Sequence, residues 1–317
     1  MKEFQLINAT SIEEAASILR SGGGKAKLMA GGTDLLGGLK REIHPAGPEV
    51  VVNIQTIPGM AYIREEGAVL KIGAQTRLRD IAENEVVKAK YAALAEAARR
   101  TASPTLRRMG TIGGNICQET RCWYYRAVDN YFDCKMKNGK ECFATLGDNR
   151  FHSIFGGVKG CIAVNPSDTA PALVALNAKV LTTKRAIEAE KFWSTHEFGL
   201  TVLEEDEIVV EIQVPEPAKG TKSAFIKYAT RGSIDFPIVN VAVMVSPDDA
   251  RICLNAVSPN PYRAVLAEDV VRGKAITEEL AEAAGEAAVS KSKPLPKNKY
   301  KVQIARTLVK RALFACK

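Results

Sequence analysis

The stretches AGGTDL at residues 30–35 and GTIGGN at residues 110–115 are two glycine turns that decide how the first half of the chain is interpreted. Adjacent glycines let the backbone approach a ligand closely, so that successive N–H groups can converge on a phosphate. A helix that begins directly after such a turn adds the positive end of its dipole. A single turn of this kind is more typical of an ordinary chain reversal. Two turns, carrying Thr33, Thr111 and Asn115, make a pyrophosphate site an equally good interpretation.

Several other classes of site are not indicated by the sequence. Neither glycine turn has the spacing G-x-G-x-x-G, and the pattern G-x-x-x-x-G-K-[ST] does not occur, so Rossmann dehydrogenases and P-loop nucleotidases are not favoured. The three histidines, His44, His152 and His196, lie in no metalloprotease or nucleophile-elbow context, and each is interpreted as a surface or loop residue. We therefore predict no catalytic side chain and assign the chemistry to cofactors.

The net charge of +8 is concentrated at one end of the chain. Residues 291–317 contain nine Lys or Arg and no Asp or Glu, so the rest of the chain carries a net charge of −1. Apolar residues recur at helical spacing in this segment, which predicts a C-terminal helix with one buried side and one cationic side. The cationic side is interpreted as a solvated face or as a docking surface for an acidic protein, and a nucleic-acid site is not favoured.

Length and composition indicate a globular protein of two or three compact units. The chain has 317 residues, of which 46% are hydrophobic and 25% are charged, which are ordinary values for such proteins. No apolar run approaches the ~18 residues of a membrane span, and the N-terminus has no signal-peptide pattern. We expect a cytoplasmic protein without a membrane span.

The order of strands and helices predicts an α+β fold. In the first half we expect strands at residues 26–29, 50–54, 69–72 and 78–81, and a helix at 91–100. A linker is expected at 215–217, where two prolines occur. Beyond it we expect a three-stranded antiparallel sheet and then three helices: strands at 224–229, 240–245 and 251–257, and helices near 263–272, 278–290 and 300–314.

Five of the seven cysteines lie in residues 117–161, an irregular stretch that is rich in aromatic residues. Four of them are widely spaced, namely Cys122, Cys134, Cys142 and Cys161. They lack the close C-x-x-C pairs of structural zinc sites, whereas a [4Fe-4S] cube can take thiolates from separate loop positions. On spacing alone, an iron–sulfur cluster, a zinc site and unliganded thiols all stay open. Cys117 is expected to line the second glycine turn, and Cys253 and Cys316 are expected in the core.

Together with PSD at 166–168 and APAL at 170–173, the two glycine turns resemble the FAD-binding medium subunit of molybdenum hydroxylases, the xanthine dehydrogenase family. The resemblance covers essentially the whole chain. It implies a flavoprotein fold of the vanillyl-alcohol-oxidase (PCMH) type, in which two α+β subdomains clasp FAD and a C-terminal domain covers the isoalloxazine end. The implied FAD-binding subdomains are 1–57 and 58–216, the second carrying an insertion at 117–164, and the implied C-terminal flavoprotein domain is 217–317.

The insertion resembles the one in 4-hydroxybenzoyl-CoA reductase and in bacterial aldehyde oxidoreductases, whose flavin subunits also hold a [4Fe-4S] cluster. This resemblance implies that Cys122, Cys134, Cys142 and Cys161 are the cluster ligands. The last spacing, with 18 residues between Cys142 and Cys161, is closer to the aldehyde oxidoreductase pattern.

The resemblance also implies where FAD binds. The glycine turns would hold the pyrophosphate and ribityl regions, and Gln118 would lie near the ring. Asp168 and Lys227 would lie beside the flavin, where a cation stabilises the anionic reduced ring; a strand-edge lysine is the alternative for Lys227. The full set of cofactor-binding residues is Met29, Ala30, Gly31, Gly32, Thr33, Asp34, Leu35, Thr111, Gly114, Asn115, Gln118, Asp168, Ile208 and Lys227.

The function that the resemblance implies is an electron-transfer subunit that holds FAD and a [4Fe-4S] cluster and binds no substrate. Its partners would be a large subunit with the molybdenum cofactor and a small subunit with [2Fe-2S] clusters, in a dimer of heterotrimers, with ferredoxin or another electron carrier outside it. The substrate at molybdenum would be an aromatic acyl-CoA, an aldehyde or an N-heterocycle. The alternatives are a flavin subunit that uses NAD directly and has a purely structural cluster, and a non-catalytic zinc-binding assembly module.

Overall fold

The computed structural model describes residues 1–193 and 201–317. Within these residues the chain forms twelve strands and thirteen α-helices. The strands are β1 (Gln5–Asn8), β2 (Ala26–Met29), β3 (Val50–Asn53), β4 (Ile63–Glu66), β5 (Val69–Gly73), β6 (Lys179–Thr182), β7 (Ala186–Glu188), β8 (Val209–Pro215), β9 (Lys222–Tyr228), β10 (Val239–Val245), β11 (Ala250–Asn255) and β12 (Tyr262–Arg263).

Helices alternate with the first three strands, follow one another between β5 and β6, and end the chain after β12. They are α1 (Ile12–Gly22), α2 (Leu35–Lys40), α3 (Leu78–Glu83), α4 (Glu85–Lys90), α5 (Ala92–Arg100), α6 (Pro104–Arg107), α7 (Ile112–Ile116), α8 (Phe143–Leu146), α9 (Thr169–Ala175), α10 (Ala189–Phe192), α11 (Val265–Val271), α12 (Glu278–Val289) and α13 (Tyr300–Phe314). Two short 3₁₀ helices, Val128–Asn130 and Lys135–Lys137, lie in the cysteine-rich stretch.

The strands form three sheets. A parallel sheet has the order β1-β3-β2, and an antiparallel five-stranded sheet has the order β4-β5-β8-β6-β7. The third sheet is antiparallel, with the order β12-β11-β10-β9. The α+β class is therefore confirmed, whereas the subdomain limits at residues 57 and 216 stay a prediction.

The C-terminal sheet separates two hydrophobic cores. Successive side chains of a strand point to opposite faces. Ala242 and Cys253 accordingly pack into the core of the first two sheets, while Val241 and Ile252 pack against α11, α12 and α13. Cys253 and Cys316 are both buried, as predicted for core residues.

Two predicted elements are wrong. Residues 78–81, expected as a strand, begin helix α3, because the buried residues Leu78, Ile81 and Ala82 recur at helical spacing and the residues between them are exposed. The C-terminal sheet has four strands instead of three, since the two-residue strand β12 pairs with β11 after a turn and is too short to leave a pattern in the sequence.

The C-terminal helix α13 buries one side, as predicted, but its cations do not all face solvent. Lys301 is fully buried. Arg306 and Lys310 form ion pairs with Glu282 of helix α12. The predicted cationic face is thus partly neutralised by the neighbouring helix. Among residues 1–193 and 201–317, no helix has both the length and the apolar character needed to cross a membrane.

The two glycine turns pack directly on one another. A Cβ atom at Gly31 would lie 2.6 Å from the carbonyl carbon of Met109, which immediately precedes the second turn, and even closer to its oxygen. Only a residue without a side chain allows this approach of two backbones. The contact holds the first turn, which follows β2, against the second turn, which leads into α7.

We expect Gly31→Ala to lower the free energy of unfolding by about 1–3 kcal/mol, because the added methyl group would overlap backbone atoms that cannot move independently. Gly37→Ala is the matched control: this glycine lies in helix α2 with nothing within 4 Å of the added Cβ, and the change should stabilise the chain by about 0.5–1 kcal/mol. Urea denaturation of the two purified variants measures both values. Equal stability of the two variants would contradict the close contact.

Candidate functional site

Both glycine turns open on one cavity of about 520 Å³. Twelve of the fourteen predicted cofactor residues line it, namely Ala30, Gly31, Gly32, Thr33, Asp34, Leu35, Thr111, Gly114, Asn115, Gln118, Asp168 and Ile208. The other two, Met29 and Lys227, are not among the lining residues. Cys117 lines this cavity and not the neighbouring one formed by the other cysteines of the insertion.

The first glycine turn offers unpaired backbone donors to the cavity. Within the described part of the chain, the N–H groups of residues 31–35 form no hydrogen bond, whereas the Leu36 N–H donates to the Gly32 carbonyl at 3.1 Å. Gly32 has φ of +69°, a left-handed conformation that glycine adopts without strain. Successive free N–H groups around such a residue form a concave site for an anion.

Most N–H groups of the second glycine turn already have hydrogen-bond partners. The N–H groups of Ile112 and Gly113 donate to the carbonyls of Thr76 and Ala74, both at 2.9 Å. The Thr111 hydroxyl accepts the Gly114 N–H at 3.1 Å and caps helix α7. The two turns look alike in the sequence, but the first carries the free donors and the second supplies the wall against which the first is packed.

A cluster of charged residues joins the first turn to the start of the insertion. The Asp34 carboxylate accepts Arg121 at 2.7 Å, Arg126 at 2.5 Å and the Glu119 N–H at 2.9 Å. Burial lowers the pKa of Arg121 to about 10, an effect that Asp34 opposes. His44 lies 3.1 Å from the Glu119 carboxylate.

The residues of this cavity that the sequence does not single out include three titratable ones, namely His44, which is expected as a surface or loop residue, Glu119 and Arg121. All three line the cavity. Burial raises the pKa of Glu119, but the opposing hydrogen bond from His44 and the charges of His44 and Arg126 bring it below its usual value. The contacts of this cluster join residues up to 92 positions apart, so no short motif marks them. The only signal was the position of Arg121 directly before Cys122.

Asp168 and Lys227 form a buried ion pair at one side of the cavity. Their charged atoms are 2.7 Å apart, and both side chains are almost completely buried. Asn240 donates to the other Asp168 oxygen at 2.8 Å, and Lys227 also donates to the Arg100 carbonyl at 3.0 Å. Burial raises the pKa of Asp168, and Lys227 opposes this shift. The cation that was predicted beside the flavin is therefore present as one half of a neutral pair.

The Asn115 side chain is part of a buried network beside this pair. Its oxygen accepts the hydroxyls of Ser167 and Thr169, both at 2.6 Å. Asn255 donates to the Ser167 carbonyl at 2.7 Å, which ties the segment before helix α9 to strand β11. The residues of the PSD segment are thus held from both the FAD-binding half and the C-terminal sheet.

The insertion gathers four cysteines at a second, much smaller cavity of about 10 Å³. Its lining includes Cys122, Cys134, Cys142, Cys161 and His152. A hydrogen bond with the Cys161 thiol lowers the pKa of Cys142 to about 5, and burial raises the pKa of Cys122 to about 11. In the described residues, no group of three or more His, Cys, Asp or Glu side chains is arranged to hold a metal ion. The space between the thiols admits about one water, so a larger group would require them to move apart.

His152, which is predicted as a surface or loop residue, is buried and lines the same small cavity. Its Nε2 atom lies 3.2 Å from the Cys122 sulfur. Burial, together with the charge of Lys301, lowers the pKa of His152 to about 4, so the imidazole is neutral at pH 7. The third histidine, His196, lies outside the described residues.

Two protein families match the chain. Residues 2–217 match the FAD binding domain in molybdopterin dehydrogenase, and residues 224–315 match the CO dehydrogenase flavoprotein C-terminal domain. The aldehyde oxidoreductase FAD-binding subunit PaoB of Escherichia coli (strain K12) is 33% identical over 315 residues, which cover 96% of this chain and 94% of the relative. The carbon monoxide dehydrogenase medium chain of Hydrogenophaga pseudoflava is 31% identical over 327 residues, covering 98% and 96%.

The fold agrees with these similarities. A solved structure of carbon monoxide dehydrogenase from Hydrogenophaga pseudoflava superposes with a TM-score of 0.78 at 31% identity, covering 99% of this chain and 97% of the other. The cavity between two glycine turns therefore lies in a domain whose family binds FAD. The chain belongs to the FAD-binding subunits of the molybdenum hydroxylase family of oxidoreductases.

Proposed function

We propose that the FAD pyrophosphate binds at the first glycine turn and that the chain passes electrons between this flavin and a [4Fe-4S] cluster in the insertion. The free N–H groups of residues 31–35 support the first part, because these residues line the cavity and their N–H groups lack partners within the described chain. Bound FAD supplies the ability to exchange electrons either in pairs or singly. The residues of the chain bind and orient the cofactor and perform no bond-breaking step.

The donor set in the insertion suits an iron–sulfur cluster chemically. Its four lining cysteines are soft thiolate ligands, and they come from four separate positions along the insertion. Such clusters are commonly held by four thiolates. Residues Cys122, Cys134, Cys142 and Cys161 would hold the cluster, which would supply one-electron transfer there.

The observation that carries the electron-transfer proposal is the short connection between the two cavities. Gln118, Glu119 and Arg121 line the larger cavity, and Cys122, the next residue, lines the smaller one. Only three residues of the chain, 119–121, therefore separate Gln118, which is predicted to lie near the flavin ring, from the predicted cluster ligand Cys122. Their positions are fixed by the bonds of Asp34 to Glu119, Arg121 and Arg126.

The partners and the substrate belong to the same proposal and are inferred from the family resemblance. We infer a large subunit with the molybdenum cofactor, a small subunit with [2Fe-2S] clusters, a dimer of heterotrimers, and ferredoxin or a similar carrier. The 33% identity to an aldehyde oxidoreductase subunit favours an aldehyde as the substrate at molybdenum. An aromatic acyl-CoA and an N-heterocycle are the other substrates to test.

We expect Gly32→Ala to weaken FAD binding about tenfold. An alanine would let the free turn relax out of the left-handed conformation, and returning to it for binding costs roughly 1–2 kcal/mol, where tenfold corresponds to about 1.4 kcal/mol. Isothermal titration of the deflavinated chain with FAD gives the dissociation constant. Gly37→Ala, in the following helix and in open space, should bind FAD as the native chain does. An unchanged constant in Gly32→Ala would exclude the first turn as the phosphate site.

We expect the purified chain to contain about four irons and Cys122→Ser to lose iron while it retains FAD, because this thiol lines only the smaller cavity. Cys117→Ser is the control, since Cys117 lines the flavin cavity instead and should leave the iron content unchanged. Metal analysis by mass spectrometry and visible absorption measure both cofactors. Zinc in the native chain, or full iron in Cys122→Ser, would refute the ligand assignment.

A further inference from the structure

A buried histidine contacts one of the proposed cluster ligands. His152 is 3% exposed, and its Nε2 atom is 3.2 Å from the Cys122 sulfur. The rings of Trp123 and Tyr124 lie against it, with centroid distances of 6.1 and 6.3 Å. The imidazole is therefore held by aromatic contacts as well as by its contact with the sulfur.

The C-terminal helix holds the backbone of this histidine. Asn298 and Lys301 are both fully buried. The amide of Asn298 donates to the carbonyls of His152 and Ser153, at 3.3 and 3.0 Å. The Lys301 ammonium donates to the His152 carbonyl at 3.0 Å and to the Ala256 carbonyl at 2.5 Å. A buried lysine is costly unless its donors are satisfied, and the hydrogen bonds to these carbonyls satisfy them, so Lys301 fixes the position of the His152 carbonyl.

The hydrogen-bonding pattern of the ring identifies which nitrogen carries the proton. Among the described residues, His152 Nδ1 is buried and has no hydrogen-bond partner. A neutral imidazole has one N–H, and a buried N–H without an acceptor is rarer than a buried acceptor without a donor. The proton is therefore placed on Nε2, where the Cys122 sulfur accepts it.

We propose that the His152 Nε2–H donates a hydrogen bond to the sulfur of Cys122 and raises the reduction potential of the cluster, with Asn298 and Lys301 as the residues that position the ring. This inference rests on the proposed function, since it needs a cluster at Cys122. A hydrogen bond to a ligating sulfur withdraws electron density from it and favours the reduced cluster. The C-terminal helix thereby influences the reduction potential of the cluster in the insertion.

The test compares His152→Phe with His152→Gln in the full chain, purified anaerobically with its cofactors. Phe keeps a planar ring of similar size without a donor, and Gln keeps an N–H. We expect His152→Phe to retain its iron and to show a lower midpoint potential of the cluster in a redox titration followed by electron paramagnetic resonance. His152→Gln should restore part of the difference, and the flavin potential should be unchanged in both variants.

The outcomes distinguish failure of the proposed hydrogen bond from failure of the proposed function. A native chain without a cluster signal overturns both. A native cluster whose potential is the same in His152→Phe overturns only the hydrogen bond. If His152→Phe loses its iron, Lys301→Met takes its place, because it leaves every cysteine and the histidine present while removing the donor that holds the His152 carbonyl. An unchanged cluster potential in Lys301→Met then overturns the inference.

Discussion

The contact between Gly31 and the carbonyl of Met109 is the constraint on which the site depends. It brings the two glycine turns together with no side chain between them. Because the second turn uses its N–H groups on the carbonyls of Thr76 and Ala74, it is a fixed wall. The first turn rests on this wall with its own N–H groups free. The first turn thus supplies the free donors and the second turn the rigid support, although both contain a Gly-Gly pair.

The acidic residues of the site are each matched by a nearby base. Asp34 is paired with Arg121 and Arg126, and Asp168 is paired with Lys227. An unpaired carboxylate would repel the phosphates of a dinucleotide and would be costly to bury. Pairing with a base reduces both the repulsion of the phosphates and the cost of burial. Each paired carboxylate also links two parts of the structure. Asp34 joins the first turn to the insertion, and Asp168 joins helix α9 to the C-terminal sheet.

Features that depend on short stretches of the chain could be predicted from the sequence. The glycine turns, the α+β class and twelve cavity residues followed from short motifs and from a family resemblance. The different roles of the two turns did not follow, because they depend on carbonyls some 35 residues from the second turn. His44, Glu119 and His152 were missed for the same reason. Each is placed by partners distant in the chain, and burial of a lone histidine leaves no periodic pattern.

The insertion also shows how a stretch with little regular structure becomes fixed. At its start, Arg126 binds Asp34 and the Thr120 carbonyl, so the chain is anchored to the FAD-binding half. At its end, the Ile154 N–H donates to the Val257 carbonyl at 2.9 Å, and Lys301 reaches in from the C-terminal helix. Two anchors in separate parts of the fold restrict the segment between them more than its own short helices could. The cysteines can therefore share one cavity although no strand or long helix presents them.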